Sequence, residues 1–409
     1  MPRPLQSILN CFRTTPPAEE RASTSTGQPA DSASHPPRRA PVTLQGLANF
    51  DAQRIRQRQV EIQALVPDTR KALSDGECQL GGYVHARQVD GRPVEGPALE
   101  RLKRGNETVM ETRQALAHGR GNVTADINDS NGQSTIRTAA GRRIGRKYLP
   151  GTCIRKKGPL FKYPADIRAA AGAMAAQAGN CGDHANVAAF LHAAKLEDGE
   201  RVHAVSSKTV DHVWAELHGE TSDRTHDIVM DAWGKGPAIF AEDGVFSADE
   251  QGTAIEHHYD KASGAEAHAA MRRLQVEHEP RIQEHLQRQM KKLGPDFRFP
   301  DNAICDPTAV ICAEFAERVP RKMSRPVDPA KLAPPLASEA QQSTEPVQMG
   351  ELWMAPLRQQ IHATETARVL GASGVREVTQ AAGRIAHVAA DLRRYPLESH
   401  PAQTAPEDV

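Results

Sequence analysis

The chain has little of what usually builds a large core or a charged interface. Only 4% of its 409 residues are aromatic and 39% are hydrophobic, so we expect a substantial part to remain outside any packed core. Its 51 basic residues equal its 51 acidic residues, and this balance argues against nucleic acid as a partner. The sequence has no apolar run long enough to span a membrane and no secretory signal at its start.

Cysteine is also scarce, and its spacing excludes the commonest cysteine-based sites. The six cysteines stand at positions 11, 78, 153, 181, 305 and 312. They form no Cys-x-x-Cys pair and no zinc-type cluster with histidine, so we expect free thiols, a reducing compartment and no metal or other cofactor. Pro2 follows Met1 where myristoylation requires glycine, so that route to membrane anchoring is not expected.

Composition divides the chain into five segments and predicts the α+β class. Residues 1–45 are rich in Ser, Thr and Pro, which predicts a disordered leader with the composition of a type III secretion signal. Residues 46–149 are predicted to be helical and basic, and residues 150–300 alternate helix and strand, as in a compact α+β core. A Pro-rich linker over 319–349 and a helical tail over 350–396 complete the prediction.

The stretch Gly179-Asn180-Cys181-Gly182-Asp183-His184-Ala185 is the most informative part of the sequence. Its cysteine follows a Gly-Asn turn and opens an Ala-rich run that predicts a helix. A thiol at a helix N-terminus faces unpaired N–H groups and the positive end of the helix dipole, which both favour the thiolate. Cys181 is therefore the candidate nucleophile, and the alternative is an inert buried thiol.

Two later segments supply the other residue types of a Cys-His-Asp triad. His212 enters an apolar strand, and Asp231 follows the strand-like run 228–230. His212 would take the thiol proton, and Asp231 would orient the imidazole ring. Trp214 is expected on the same face of the strand, where it would wall the site. The competing candidates are His184, His203 and His226 for the base, and Asp223 and Asp227 for the acid.

The sequence specifies the oxyanion hole and the charge around the site less closely than it specifies the triad. The backbone N–H of Cys181 is one expected donor, and the second is either Gln177 or Asn180, unless both only shape the turn. A basic stretch precedes the cysteine and includes Arg142, Arg143, Arg146 and Lys147. It is either a solvated surface or a positive rim that attracts an acidic or phosphorylated ligand.

These residues carry a resemblance to a known family. The blocks Gly-Asn-Cys-Gly-Asp-His-Ala, His-Val-Trp-Ala-Glu-Leu and Met-Asp-Ala-Trp resemble the three blocks of the transglutaminase-like superfamily. With its leader and helical preamble, the chain resembles the HopX (AvrPphE) type III effectors of plant-pathogenic bacteria, including the XopE and RipE branches. The resemblance covers about residues 100–300. It implies a papain-like core with Cys181, His212 and Asp231 as the triad, and a family-specific region within 100–165 that is needed with the triad.

The resemblance also implies a cellular role. It implies type III secretion into a plant cell, action in the host cytoplasm or nucleus, and a host plant protein as substrate. Some members are myristoylated and act at the plasma membrane, and Pro2 departs from that pattern. Members are linked to proteolysis of host jasmonate-signalling repressors, a substrate that motif residues alone do not transfer to this chain.

Several functions share these residues. The leading hypothesis is a cysteine protease that perturbs plant immunity or hormone signalling. The same thioester chemistry on a glutamine side chain would make a deamidase or a transglutaminase. A third alternative is a thiol enzyme that acts on, or is regulated by, a phosphorylated small molecule. The non-enzymatic alternative is a scaffold that binds a host protein.

Overall fold

The computed structural model describes residues 70–147, 160, 162–219, 224–324 and 344–394. The leader predicted for residues 1–45, the first helical pattern at 55–65 and the acid candidate Asp223 lie outside these ranges. Within them the chain combines α-helices with one antiparallel sheet. The predicted α+β class is thus confirmed.

The helices of the described residues surround the sheet or pack on each other beside it. They are α1 (Asp75–Asp90), α2 (Gly96–Ala115), α3 (Thr124–Asp129), α4 (Gln133–Lys147), α5 (Ala165–Ala176), α6 (Cys181–Ala193), α7 (Lys261–Leu293), α8 (Ala313–Met323), α9 (Thr344–Val369) and α10 (Val375–Ala390). Short 3₁₀ turns follow at Arg224–His226, Ala241–Asp243, Glu250–Gly252, Asp301–Ala303 and Leu392–Arg394. None of the described helices is long and apolar enough to cross a membrane.

Five strands form the sheet, and every neighbouring pair is antiparallel. They are β1 (Arg201–Ser207), β2 (Val213–His218), β3 (Ile228–Met230), β4 (Ile239–Phe240) and β5 (Thr253–Asp260). Their order across the sheet is β4-β3-β2-β1-β5. Strands β2 and β3 are therefore adjacent, which brings the start of β2 close to the residue that follows β3.

Helix α6 is the centre of the core. Ten of its 13 residues are buried, because the helix packs against β1 and β2 on one side and against α2, α5 and α7 on others. A helix that is apolar on every side belongs inside a fold rather than on its surface. Its Ala-rich sequence allows this close packing, and the N-terminus of α6 is thereby held in a fixed position on the sheet.

The last helices pack onto the first helix that the structure describes. Helices α9 and α10 contact α1, and the approach is close because α1 carries Gly81 and Gly82 where it meets α10. A Cβ atom at Gly82 would overlap the Val388 side chain, and one at Gly81 would overlap Ile385. The helical stripe expected near the C-terminus thus packs on the protein's own α1.

A buried carboxylate fixes the position of α1 on the rest of the protein. Asp243 is 2% exposed and accepts hydrogen bonds from Tyr83 Oη, Arg87 Nη1 and Arg92 Nη2, each at 2.7 Å. Charge-assisted hydrogen bonds of this kind are the strongest in proteins. They tie α1 and the turn that follows it to the 3₁₀ turn after β4.

The linker predicted for residues 319–349 is helical at both ends. Helix α8 continues through Pro320 to Met323, and α9 begins at Thr344. Phe315, Ala316 and Val319 bury the inner face of α8. The favourable burial of these apolar side chains offsets the backbone hydrogen bond that Pro320 cannot make. Residues 325–343 lie outside the described ranges.

Candidate functional site

Cys181 is the first residue of α6, and its thiol is half-buried. Asp183 fixes this helix start, because its Oδ2 accepts the backbone N–H of Asn180 at 2.9 Å. The same oxygen accepts Arg142 Nε at 2.8 Å. The thiol therefore lies at the N-terminal, positive end of a helix whose start these contacts hold in place.

His212 and Asp231 meet at the neighbouring ends of β2 and β3. The distance from His212 Nε2 to Asp231 Oδ2 is 2.7 Å, and both side chains are buried. The other ring nitrogen is Nδ1, and the Cys181 side chain lies close enough to the His212 ring to help raise the pKa of the imidazole. The structure thus brings the three sequence candidates together in the order thiol, imidazole, carboxylate.

The turn after β3 holds the carboxylate of Asp231 in place. Its Oδ1 accepts the backbone N–H groups of Trp233 at 3.1 Å and Gly234 at 2.9 Å. Arg113 of α2 binds the same turn, since its guanidinium donates to the carbonyl oxygens of Ala232 and Gly234. Both oxygens of Asp231 are therefore engaged, and only Oδ2 contacts the imidazole.

The electrostatics of the pair favour the charged forms of both groups. Burial opposes the protonation of His212, but the Asp231 carboxylate and the Cys181 side chain outweigh it and raise the imidazole pKa well above its ordinary value. Burial likewise opposes ionisation of Asp231, but the charge and hydrogen bond of His212 hold the pKa of the carboxyl below its ordinary value. This arrangement suits an imidazolium that stabilises a neighbouring thiolate.

Three aromatic rings enclose His212. The Trp214 ring stacks on it with centroids 5.6 Å apart and an interplanar angle of 23°. Trp233 and Phe246 contact it at 5.3 and 5.1 Å. Trp214 therefore lies on the same face of the strand as His212, and the rings restrict the access of water to the imidazole.

The outer end of the Trp214 ring is anchored by a buried acid. Its indole N–H donates to Glu216 Oε1 at 2.7 Å, and Glu216 is 1% exposed. The other carboxylate oxygen, Oε2, lies 2.7 Å from Arg224 Nη2 and 3.1 Å from His218 Nε2. Alternate residues of β2 thus form one connected row from the candidate base to a buried ion cluster.

The competing sequence candidates lie in other environments. His184 is buried one turn along α6, where its Nδ1 lies 3.0 Å from the Asn180 carbonyl oxygen, and burial lowers its pKa to about 4. His203 stacks on His218, with centroids 4.0 Å apart. His226 is exposed, and Asp227 pairs with His218 and Arg224.

The two residues expected as a second oxyanion donor both shape the chain before Cys181. Gln177 ends α5 in the left-handed conformation, with φ of 55°, and its carbonyl oxygen accepts the His118 N–H at 2.7 Å. Asn180 occupies the N-cap position of α6. Among the described residues, no side-chain hydrogen bond joins Gln177 or Asn180 to Trp233 or His212.

A cleft of about 580 Å³ lies along the start of α6, where Gly182, Asp183 and Asn186 line it, but Cys181, His212 and Asp231 are not part of its lining. Its charged lining residues include Arg142, Arg146, Asp166 and Glu256. Arg142 is paired with Asp183. Of the other two basic residues singled out from the sequence, Arg143 is exposed outside this lining, and the side chain of Lys147 lies outside the described set.

A loop that the sequence analysis did not single out lies against the site. Residues 119–123 run beside Gly179, with backbone hydrogen bonds from Gly121 N to Gly179 O and from Gly179 N to Gly119 O, both 3.3 Å. Within the loop, Arg120 binds Asp126 and the Trp233 carbonyl oxygen, and Asn122 contacts the Trp233 indole. In the sequence, the Gly-Arg-Gly-Asn run could have indicated this loop, because glycines permit another backbone to approach closely.

The described residues include no group of three or more His, Cys, Asp or Glu side chains arranged to hold a metal ion. Comparisons with protein-family models, curated proteins and solved structures find no match to this chain. The case for a function therefore depends on the residues and geometry described above.

Proposed function

We propose that this chain is a cysteine protease that uses Cys181 as nucleophile, His212 as acid and base, and Asp231 to orient the imidazole. The observation that carries the proposal is the 2.7 Å contact between the His212 imidazole and the buried Asp231 carboxylate, with the Cys181 thiol at the start of α6 close enough to the ring to help raise its pKa. Buried polar groups at this density need a reason, since burying them without function costs stability. An acyl-transfer site supplies one.

The reaction would begin with attack of the Cys181 thiolate on an amide carbonyl carbon. A C–S bond forms, and the carbonyl electron pair moves to oxygen. As the tetrahedral intermediate collapses, the C–N bond breaks and the His212 imidazolium gives its proton to the leaving nitrogen. The neutral imidazole then takes a proton from water, which attacks the thioester and releases a carboxylic acid. The thiolate and imidazolium are restored.

The element arrangement supports a transglutaminase-like core as part of the proposal. A buried helix presents the thiol at its N-terminus, an antiparallel sheet presents the imidazole at the start of β2, and the acid follows β3. Each group comes from the end of a packed element, so the triad is preorganised. The three sequence blocks that resemble the superfamily are the segments that meet here.

The cleft along the start of α6, which Gly182 lines, favours a polypeptide substrate over a small phosphorylated ligand. Its walls carry acidic residues, Asp166 and Glu256, as well as the arginines, and Arg142 is already neutralised by Asp183. A phosphate would meet repulsion from the acidic wall, whereas a polypeptide of mixed charge would not. We therefore propose a protein substrate.

The resemblance to HopX effectors supports the cellular part of the proposal. It supports a host plant protein as substrate, type III secretion as the route and the host cytoplasm or nucleus as the place of action. Perturbed plant immunity or hormone signalling would be the consequence. The motif blocks around Cys181, His212 and Asp231 carry this part of the proposal.

The test is mass spectrometry of a plant-cell extract incubated with the wild-type protein, Cys181→Ala or Cys312→Ala. Cys312 is a matched control, because it is also a half-buried thiol at the start of a helix. We expect new peptide termini with the wild type and Cys312→Ala but not with Cys181→Ala. Gln-to-Glu conversion or cross-links would replace the protease with a deamidase or transglutaminase. If the extracts treated with the three proteins were identical, the non-enzymatic alternative, a scaffold that binds a host protein, would be favoured instead.

A further inference from the structure

We propose that the side-chain amide of Asn122 is the second oxyanion donor of this site, acting with the backbone N–H of Cys181. This role rests on the proposed function, because an oxyanion forms only if Cys181 attacks a carbonyl. It assigns a catalytic contact to a loop that lies nearly 60 residues before the nucleophile in the sequence.

The orientation of the Asn122 amide is fixed by its partners. The Trp233 indole Nε1–H donates to Asn122 Oδ1 at 3.2 Å, so the oxygen end is assigned and the amide nitrogen points the other way. Nδ2 carries two hydrogens. Its one contact among the described residues is Cys305 Sγ at 3.5 Å, and sulfur is a weak acceptor. A buried amide, 8% exposed, therefore has donor capacity to spare.

The neighbours of Asn122 place that donor beside the thiol. Trp233, which binds Oδ1, also packs against the His212 ring. Cys305, which faces Nδ2, lies close enough to Cys181 that the negative charge of Cys181 adds to burial in raising the pKa of the Cys305 thiol. The backbone of the same loop bonds to Gly179, two residues before the nucleophile. Three independent contacts thus converge on one side of Cys181.

The loop is held rigidly enough for such a role. The Arg120 guanidinium donates to Asp126 Oδ1 at 2.7 Å and to the Trp233 carbonyl oxygen at 2.8 Å, and both charged residues are buried. On its other side, the Asn122 carbonyl oxygen accepts the Cys305 N–H at 2.9 Å. An oxyanion donor is effective when it needs no reorganisation as charge develops, and this loop supplies that condition.

The donor would act in the step that forms the C–S bond. When the thiolate attacks, the π electrons of the carbonyl move to oxygen, and that oxygen accepts hydrogen bonds from Cys181 N–H and Asn122 Nδ2–H. When the intermediate collapses, the C=O bond re-forms, the leaving group departs with its electron pair, and the two hydrogen bonds weaken. Both donors keep their protons throughout.

The test compares two reactions of the same thiol in the full-length protein. p-Nitrophenyl acetate acylates a thiol through an oxyanion, whereas iodoacetamide alkylates it at a saturated carbon without one. We expect Asn122→Ala to lower the acylation rate of Cys181 by about 10²-fold or more and to leave its alkylation rate unchanged. Asn128→Ala is the control, because Asn128 is an exposed asparagine on the next helix, and both of its rates should match the wild type.

A second variant covers the outcome in which Asn122→Ala fails to fold. Trp233→Phe keeps an aromatic ring against His212 but releases Asn122 Oδ1, so it should lower acylation more than alkylation. Equal losses in both reactions would overturn the role of Asn122 and leave it a structural residue, as would unchanged acylation in Asn122→Ala. Failure of the proposed function is distinct, since wild-type Cys181 would then be acylated no faster than the control thiol Cys312.

Discussion

Trp214 donates its indole N–H to the buried carboxylate of Glu216 at 2.7 Å, so the ring that covers His212 is fixed by the residue two positions later in β2. Glu216 is in turn balanced by Arg224 and His218. The wall of the site and the ion cluster at the far end of the strand are therefore one unit. A substitution in the Glu216 cluster should therefore alter the packing around the His212 imidazole.

Replacing Glu216 by Gln should loosen this unit. The substitution removes one of the two buried carboxylates that Arg224 and His218 contact and leaves Asp227, so we expect a loss of about 1–3 kcal/mol of unfolding free energy. Urea unfolding followed by tryptophan fluorescence measures the loss. Glu266→Gln, on the exposed face of α7, is the control and should unfold like the wild type. A Glu216→Gln protein as stable as this control would mean that the cluster does not support the wall.

Part of the folding stability that the Asp231–His212 pair contributes should be lost at alkaline pH. The folded pKa of His212 is raised from 6.5 to about 10, so its contribution is fully present below pH 6.5 and is lost as the pH rises towards 10. Asp231→Asn removes the charge that raises this pKa. Urea unfolding at pH 6 and pH 10 should therefore show a larger alkaline loss of stability in the wild type than in Asp231→Asn.

The same substitution should change the pH profile of acylation. In the wild type the thiolate–imidazolium pair is lost as His212 deprotonates, so the rate with p-nitrophenyl acetate should fall on the alkaline side. Asp231→Asn should move this fall to lower pH, because the imidazole then holds its proton less tightly. An alkaline limb that stays in place would show that Asp231 does not govern the imidazole.

Cys181 should be the most reactive thiol of the described residues. Cys312 also precedes a helix, but burial raises the pKa of its thiol, and it lacks an imidazole partner among the described residues. Iodoacetamide below pH 7 should therefore label Cys181 before Cys312, since an ordinary thiol is mostly protonated there. Peptide mapping at several times gives the order. Earlier labelling of Cys312 would contradict the assignment of the nucleophile.

The Asp243 cluster should be a main support of α1. Asp243→Asn leaves Arg87 and Arg92 with less compensating charge in a buried place, and we expect a loss of about 3–5 kcal/mol of unfolding free energy. Glu242→Gln is the matched control, because Glu242 contacts the same two arginines but is 36% exposed; its loss should be below about 1 kcal/mol. Urea unfolding of the two variants measures the difference, and equal losses would refute the special weight of Asp243.

The contact between α1 and α10 should tolerate no side chain at Gly82. A Cβ there overlaps Val388 and approaches the Ala389 backbone, so Gly82→Val should lower the unfolding temperature. Gly383→Ala, on the exposed side of α10 with open space around its Cα, should raise stability by up to about 1 kcal/mol through helix propensity. Differential scanning calorimetry of both variants tests the geometry, and an unaffected Gly82→Val protein would count against it.

Much of the candidate site could be predicted from short local patterns in the sequence. The helix start at Cys181, the apolar strand after His212 and the short strand before Asp231 are all written in adjacent residues, as is the period of two that puts Trp214 beside His212. The helical stripe near the C-terminus coincides with α10, in which Val378, Ile385 and Ala389 are buried. These features need no knowledge of distant contacts.

The parts of the site that the sequence did not predict depend on contacts between residues far apart in the chain. Asn122 approaches Trp233 across more than 100 residues of sequence, and Arg113 binds the turn after Asp231 from another helix. No periodicity marks such residues, because a single polar side chain in a loop or on a helix has many ordinary uses. The first end of the predicted linker, which contains Pro320, became helical for a similar reason. Tertiary burial of Phe315 and Val319 outweighed the local preference against helix.

The packing of α9 and α10 on α1 has a consequence for how the chain is made. A ribosome releases α1 long before α10, since some 300 residues separate Gly82 from Val388. The part of α1 that meets α10 therefore stays uncovered until α10 has been synthesised. Newly made chains should need protection of that face until then, and assembly of this helical layer is a late event rather than a nucleus.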